Sequence, residues 1–241
     1  MQRKVWDIAQ FDAVNLPEVV GEVDPSFSDF QGIRVLDMPI HMPGQGWAIP
    51  DYIQEQFGEM IQQVIDAESR FGDFEQDHYV YITVDQKMVN AGKTGRRPGA
   101  HSDAYIEQKG EQFDITTENA DVVAAEQGEV SHTYICADVF PTEFFRARFP
   151  LTDTSCEGSL QTFDEIAETA EVVTYPAYTV LRLDPFVVHR SAVADRDTQR
   201  TFVKVSVSRK RYARQGNTRN EAFDYDWSLT ARSPHERNHP W

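Results

Sequence analysis

From Tyr79 onward the chain reads in twos, and this rhythm limits the available architectures more than any other feature. Tyr79-Val80-Tyr81-Ile82-Thr83-Val84 is dense in β-branched and aromatic residues. Further on, Arg200, Phe202, Lys204 and Ser206 share one face of a strand, and Val203, Val205 and Val207 share the other, because strand side chains alternate with a period of two. Other strands are expected at 32–40 (ended by Pro39), 101–106, 130–140, 172–183 and 185–193. Two helices support them. One starts with Pro50 in its first helical position and carries an apolar stripe of Ile53, Phe57, Met60, Ile61, Val64 and Ile65. The other is expected over 162–170, where Thr162-Phe163-Asp164-Glu165 fits a capping box. Many strands and few helices give a mainly β fold, an antiparallel barrel or sandwich.

The 241 residues suit one domain. Residues 1–30 read as an irregular arm, 79–210 as the barrel core and 211–241 as a covering tail. A net charge of −16 opposes a phosphate backbone and argues against nucleic acid as a partner. The basic run Arg209-Lys210-Arg211 reads as a solvated strand end. Cys136 and Cys156 make no disulfide framework, and no apolar run approaches a membrane span, so a cytoplasmic location is expected.

Two motifs are set aside. Gly92-Lys93-Thr94 imitates the end of a phosphate-binding loop, but Lys87 stands where a glycine is needed, and a strand follows instead of a helix. His235-Glu236-Arg237-Asn238-His239 matches a zinc-protease pattern, but Pro234 and Pro240 bracket it and leave no stable helix to hold both histidines on one face.

The chemistry is expected elsewhere. His101 and Asp103, two apart on an extended segment, point the same way, and the loop Arg96-Arg97-Pro98-Gly99 delivers them. With His189 arriving from a distant strand they would form a 2-His-1-carboxylate facial triad, which leaves metal positions open. Arg200 is a rigid, permanently charged fork able to clamp a carboxylate. Tyr79, Tyr81, Tyr105 and Arg97 are candidate pocket walls, although packing explains the tyrosines equally well.

Together, His101-x-Asp103, His189 and Arg200 resemble the Fe(II)- and 2-oxoglutarate-dependent dioxygenases, over roughly residues 79 to 210. The resemblance implies a double-stranded β-helix (jelly-roll) barrel in which His101, Asp103 and His189 hold Fe(II). It implies that 2-oxoglutarate places its far carboxylate on Arg200, and that a small molecule or protein side chain is hydroxylated with release of succinate and CO2. The chain departs from the common Arg-x-Ser pattern: Thr201-Phe202 follows Arg200, and Lys204-Val205-Ser206 offers a Lys-x-Ser nearby. Either cation could therefore meet the carboxylate. The competing reading is a cupin-like metal-binding or structural barrel without turnover.

Overall fold

The computed structural model describes residues 1–103, 129–153 and 156–231, with backbone only for 156 and 157. Its described part is mainly antiparallel β, with ten strands and two α-helices. The strands are β1 (Glu18–Glu22), β2 (Arg34–Met42), β3 (Gly46–Trp47), β4 (Tyr79–Val89), β5 (His132–Ala137), β6 (Glu143–Phe145), β7 (Val172–Val173), β8 (Thr179–Leu183), β9 (His189–Arg190) and β10 (Thr198–Ser208). The helices are α1 (Asp51–Ser69) and α2 (Cys156–Ala167). Seven strands form a sheet in the order β1-β8-β5-β10-β4-β2-β3, and three form a second in the order β7-β6-β9.

The alternation in β10 sets the layering. Val203, Val205 and Val207 pack with Val80, Ile82 and Val84 of β4 against Ile53, Phe57, Met60, Ile61 and Val64 of α1, all buried. Each large aliphatic or aromatic side chain taken out of water there contributes about 1.5–3 kcal/mol. The opposite face of the sheet carries Phe202 of β10, Ile135 and Ala137 of β5, and Leu181 and Leu183 of β8, which meet Phe144 of the small sheet and Val187. Phe145 and Val188, one step along from Phe144 and Val187, point outward instead. They join Phe163 and Ala167 of α2 and Trp6 and Phe11 of the N-terminal segment. The small sheet thus lies between α2 and the large sheet.

Several boundaries differ from the sequence expectation. The large sheet recruits β1 and β2 from outside 79–210; β1 pairs with β8 inside the segment expected to be an irregular arm. Pro39 does not end β2. Register shifts on either side of it, between Val35 and Met38 and between Pro39 and His41, absorb the missing donor. α2 begins at Cys156, so Thr162 lies inside it and donates its hydroxyl to Gly158 O at 2.9 Å instead of capping the helix. The 172–183 stretch breaks into β7 and β8 around Pro176 and Tyr178, whose φ is 65°. Pro50 caps α1 from outside, and its carbonyl accepts from Ile53 and Gln54. Residues 235–239 lie outside the described residues. Among the described residues no helix is long and apolar enough to cross a membrane.

Candidate metal centre

His101 and His189 face each other across an isolated antiparallel bridge, each backbone N–H donating to the other's carbonyl at 2.9 Å. This bridge fixes two candidate ligands whose residues are far apart in sequence. The expected strand over 101–106 is not what aligns the set. His101 makes a single bridge and Asp103 sits in a turn, while 104–106 lie outside the described residues. Gly99, with φ 84°, turns the chain into the bridge, and Ser102 Oγ ties the turn to Pro185 O.

The candidate ligand atoms of His101, Asp103 and His189 all lie within 4.8 Å of one another. Both imidazoles are oriented in the same way. His101 Nδ1 lies 3.1 Å from Gly99 O, and His189 Nδ1 lies 3.1 Å from Val187 O. A carbonyl can only accept, so each Nδ1 carries the proton and each Nε2 presents a lone pair, as metal-binding histidines require. Burial and the neighbouring His189 push the His101 pKa down to about 3. Burial alone would raise the Asp103 carboxyl, but Lys204, the two histidines and Arg96 outweigh it and bring it to about 2. At neutral pH His101 is therefore a neutral imidazole and Asp103 a carboxylate.

Lys204 Nζ lies 3.4 Å from Asp37 Oδ1. Asp37 occupies a left-handed conformation (φ 41°) at the first irregularity of β2, and both its N–H and its carboxylate meet Thr83 Oγ1 at 2.9 Å. Burial depresses Lys204, but Asp37 and Asp103 more than restore it, so its pKa is raised. Tyr212 sits in the field of the same three charges. Ser206 is buried on the Lys204 face, opposite Tyr81 and Thr133.

Arg200, 2 % exposed, points from the same face. Its Nε donates to Val139 O at 3.0 Å and one terminal nitrogen to Phe140 O at 3.3 Å, while the other, Nη1, is buried without a hydrogen-bond partner. The guanidinium lies over Phe202 at 5.0 Å, and Arg96 lies over the same ring at 4.8 Å. Burial and Arg96 lower the Arg200 pKa to about 10. Arg97 is half-buried and contributes to the field at His101.

The tyrosines nominated as pocket walls are committed elsewhere. Tyr81 OH donates to Lys210 O at 2.9 Å and accepts from Tyr212 N at 3.1 Å, and Tyr79 OH accepts from Arg211 Nε at 3.0 Å. Tyr105 lies outside the described residues. Asp37 and Tyr212 went unnoticed in the sequence because a bulge and a return of the tail bring them in, and neither has a local signature. The Gly92 loop pairs with 193–194 and leads into no helix.

No family model and no curated protein matches the chain. Solved structures similar to parts of it include AviO1 from Streptomyces viridochromogenes Tue57, at 12% identity over 83% of this chain and 92% of that one, with a TM-score of 0.41. EvdO2 from Micromonospora carbonacea var. aurantiaca complexed with 2-oxoglutarate overlaps 86% of this chain and 94% of its own at 12% identity and a TM-score of 0.45. A non-heme monooxygenase, the ThoJ-Ni complex, matches at 14% identity and a TM-score of 0.32 over 61% of this chain and 49% of that one. Overlaps this loose establish neither a shared barrel nor a shared activity, so the functional reading rests on the geometry of the site.

Proposed function

We propose that this chain is an Fe(II)- and 2-oxoglutarate-dependent dioxygenase on a jelly-roll scaffold, hydroxylating a small molecule or an exposed side chain. The observation that carries the reading is the matched pair of Nδ1 hydrogen bonds, which leaves each Nε2 its lone pair, in a cluster with Asp103 whose candidate ligand atoms lie within 4.8 Å of one another. Two imidazoles and one carboxylate are the donor set of open-sided non-haem iron, so the residues fit the metal. When bound, iron and 2-oxoglutarate supply oxygen activation coupled to decarboxylation of the cosubstrate to succinate.

The chain's own residues hold and tune that centre. His101, Asp103 and His189 are its ligands, and Lys204 keeps Asp103 ionised. Arg200 receives the far carboxylate of 2-oxoglutarate: its buried Nη1 is an unfilled donor, whereas Lys204 already faces Asp37 and Asp103. The carbonyls of Val139 and Phe140 hold the guanidinium still, which reduces the ordering cost of binding.

The test is an anaerobic Fe(II) titration, followed by aerobic incubation with 2-oxoglutarate and ascorbate against pooled substrates, with succinate read by mass spectrometry. Binding of one iron per chain and succinate that disappears in His189→Ala support the reading. Metal binding with no 2-oxoglutarate consumption in any pool replaces it with the cupin-like barrel.

A further inference from the structure

Five aromatic rings form an unbroken file from beside the candidate metal centre to the solvent-facing tail. Tyr212 stacks on Tyr81 with centroids 4.2 Å apart and planes within 7°. Tyr81 stacks on Tyr79 at 5.9 Å, Tyr79 meets the edge of Trp227 at 5.7 Å, and Trp227 meets Tyr225 at 4.6 Å. The register fixes the inner end: Tyr81 is two residues along β4 from Thr83, which stands opposite Lys204 of β10. Tyr81 is buried, and Trp227 and Tyr225 are partly exposed. Every ring in the file is Tyr or Trp, the two side chains that lose an electron most readily among the aromatics. The aromatic cluster at α2 is built mainly of Phe instead, with Phe11, Phe145, Phe149, Phe163 and Phe186 beside Trp6.

We propose that Tyr212, Tyr81, Tyr79, Trp227 and Tyr225 form a one-electron conduit that carries oxidising equivalents away from the metal centre. The conduit rests on the reading of that centre as oxygen-activating. When no substrate accepts the oxidant, Tyr212 gives it one electron together with its phenolic proton, and recovers a proton from water when its ring is re-reduced. Each ring further out then re-reduces the one before it, and the partly exposed Tyr79 releases its phenolic proton to water and recovers one when Trp227 supplies its electron. The proton of Tyr81 shifts along its hydrogen bond toward Lys210 O during the hop and returns when an electron arrives from Tyr79. At the outer end Trp227 loses an electron and passes its indole proton to water. The resulting radical is re-reduced by a soluble one-electron donor such as ascorbate. The oxidant is reduced, the soluble donor is oxidised, and the chain is unchanged.

The test injects the hole from outside, so it does not depend on turnover. Ser228→Cys, on the exposed residue beside Trp227, is labelled with a ruthenium polypyridyl complex in the metal-free protein. A flash and a soluble quencher produce ruthenium(III), which takes one electron from Trp227. Oxidised residues are trapped with a nitroso compound and located by peptide mass spectrometry. The expected result is an adduct at Tyr212 that is lost in Tyr81→Phe and in Trp227→Phe and retained in Tyr52→Phe, a tyrosine outside the file. Phenylalanine keeps the stacking and removes the oxidisable phenol, so a purely structural role predicts no change. Should Tyr81→Phe fold poorly, Tyr79→Phe interrupts the same file. Absence of the Tyr212 adduct in the parent, or its persistence in both interrupted variants, overturns the conduit. If the adduct forms as expected while the parent never consumes 2-oxoglutarate, the oxygenase reading fails and the electron path stands.

Discussion

Two buried histidine clusters flank β5 and β10, and they differ in what is left over. Behind α1, His132 Nδ1 donates to Glu68 Oε1 at 2.7 Å, its Nε2 accepts from Arg182 Nη1 at 3.2 Å, and Glu68 is also bound by Arg3 and by Tyr134 OH. Both ring nitrogens are used and the carboxylate is surrounded, so neither the histidine nor the acid has a ligand atom left over. In the His101–His189 pair, one nitrogen of each ring is used by a carbonyl and the other keeps its lone pair, in a cluster whose candidate ligand atoms, that of Asp103 included, lie within 4.8 Å of one another. Burial of histidine beside acid occurs in both. The unspent lone pairs separate a candidate site from a structural brace.

That difference predicts opposite responses to truncation. His101→Ala should lower iron affinity by roughly 100-fold or more, since losing even an outer partner of a ligand costs 10–100-fold. The melting temperature of the metal-free protein should barely move. Glu68→Ala should do the reverse, costing about 3–5 kcal/mol because Arg3 loses its buried partner. Iron stoichiometry per folded molecule should stay at the parent value. Calorimetry and anaerobic titration on both variants check the pair. A destabilised His101→Ala that still binds iron would erase the distinction.

Arg200 and Lys204 give the next largest effect. Arg200→Ala should weaken 2-oxoglutarate binding by about 2–4 kcal/mol, or roughly 30- to 1,000-fold, on the scale for removing one partner of a buried charge pair. Arg200→Lys should recover only part of it, because a point charge does not reproduce the fork. Isothermal titration of 2-oxoglutarate into the iron-loaded protein measures both. If Lys204→Ala, and not Arg200→Ala, removes binding, the far carboxylate belongs to the Lys-x-Ser pair.

The parts of this picture that were legible from the sequence are the local ones. The α1 stripe and the β10 alternation repeat within a few residues, and both faces of β10 landed where the pattern put them. The three residues that meet at the candidate centre were also singled out, but they are brought together by a bridge and a turn, not by strand alternation. Pairing His101 with His189 is a tertiary event that no period of two encodes. The capping box at Thr162 shows how a four-residue pattern misleads when an earlier helix start is available. Nothing local marks Glu68 or His132, which lie 64 residues apart and meet only because α1 packs on β5. Asp37 is equally silent, since its aim depends on a bulge beside a proline.

Acid should sharpen the contrast more gently. The folded pKa of His101, about 3, lies below its unfolded value near 6.5. Between those pH values the unfolded chain binds the extra proton, so this group's contribution falls as pH drops through the window and is fully present above it. In metal-free protein, His101→Asn should make the loss of stability between pH 6.5 and 3 shallower, by at most one proton, about 1.4 kcal/mol per pH unit. Denaturant midpoints across that range test it, and an unchanged slope would mean that His101 is not held neutral.

The smallest expected effect concerns a second pair of histidines. His235 and His239 have the spacing of zinc ligands on one helix face, but Pro234 and Pro240 bracket them. A proline removes a backbone donor and disfavours helical geometry in the residue before it, so Pro240 works against helix at His239 itself. A metal pair needs ligands oriented in advance, as the carbonyls of Gly99 and Val187 orient His101 and His189; a short proline-bracketed segment supplies no such partner from its own pattern. The double variant His235→Ala/His239→Ala should therefore bind iron with the parent's stoichiometry and affinity in anaerobic titration. Loss of binding in that variant, with the fold intact, would move the metal centre to the tail and make the His101–His189 bridge a second structural brace.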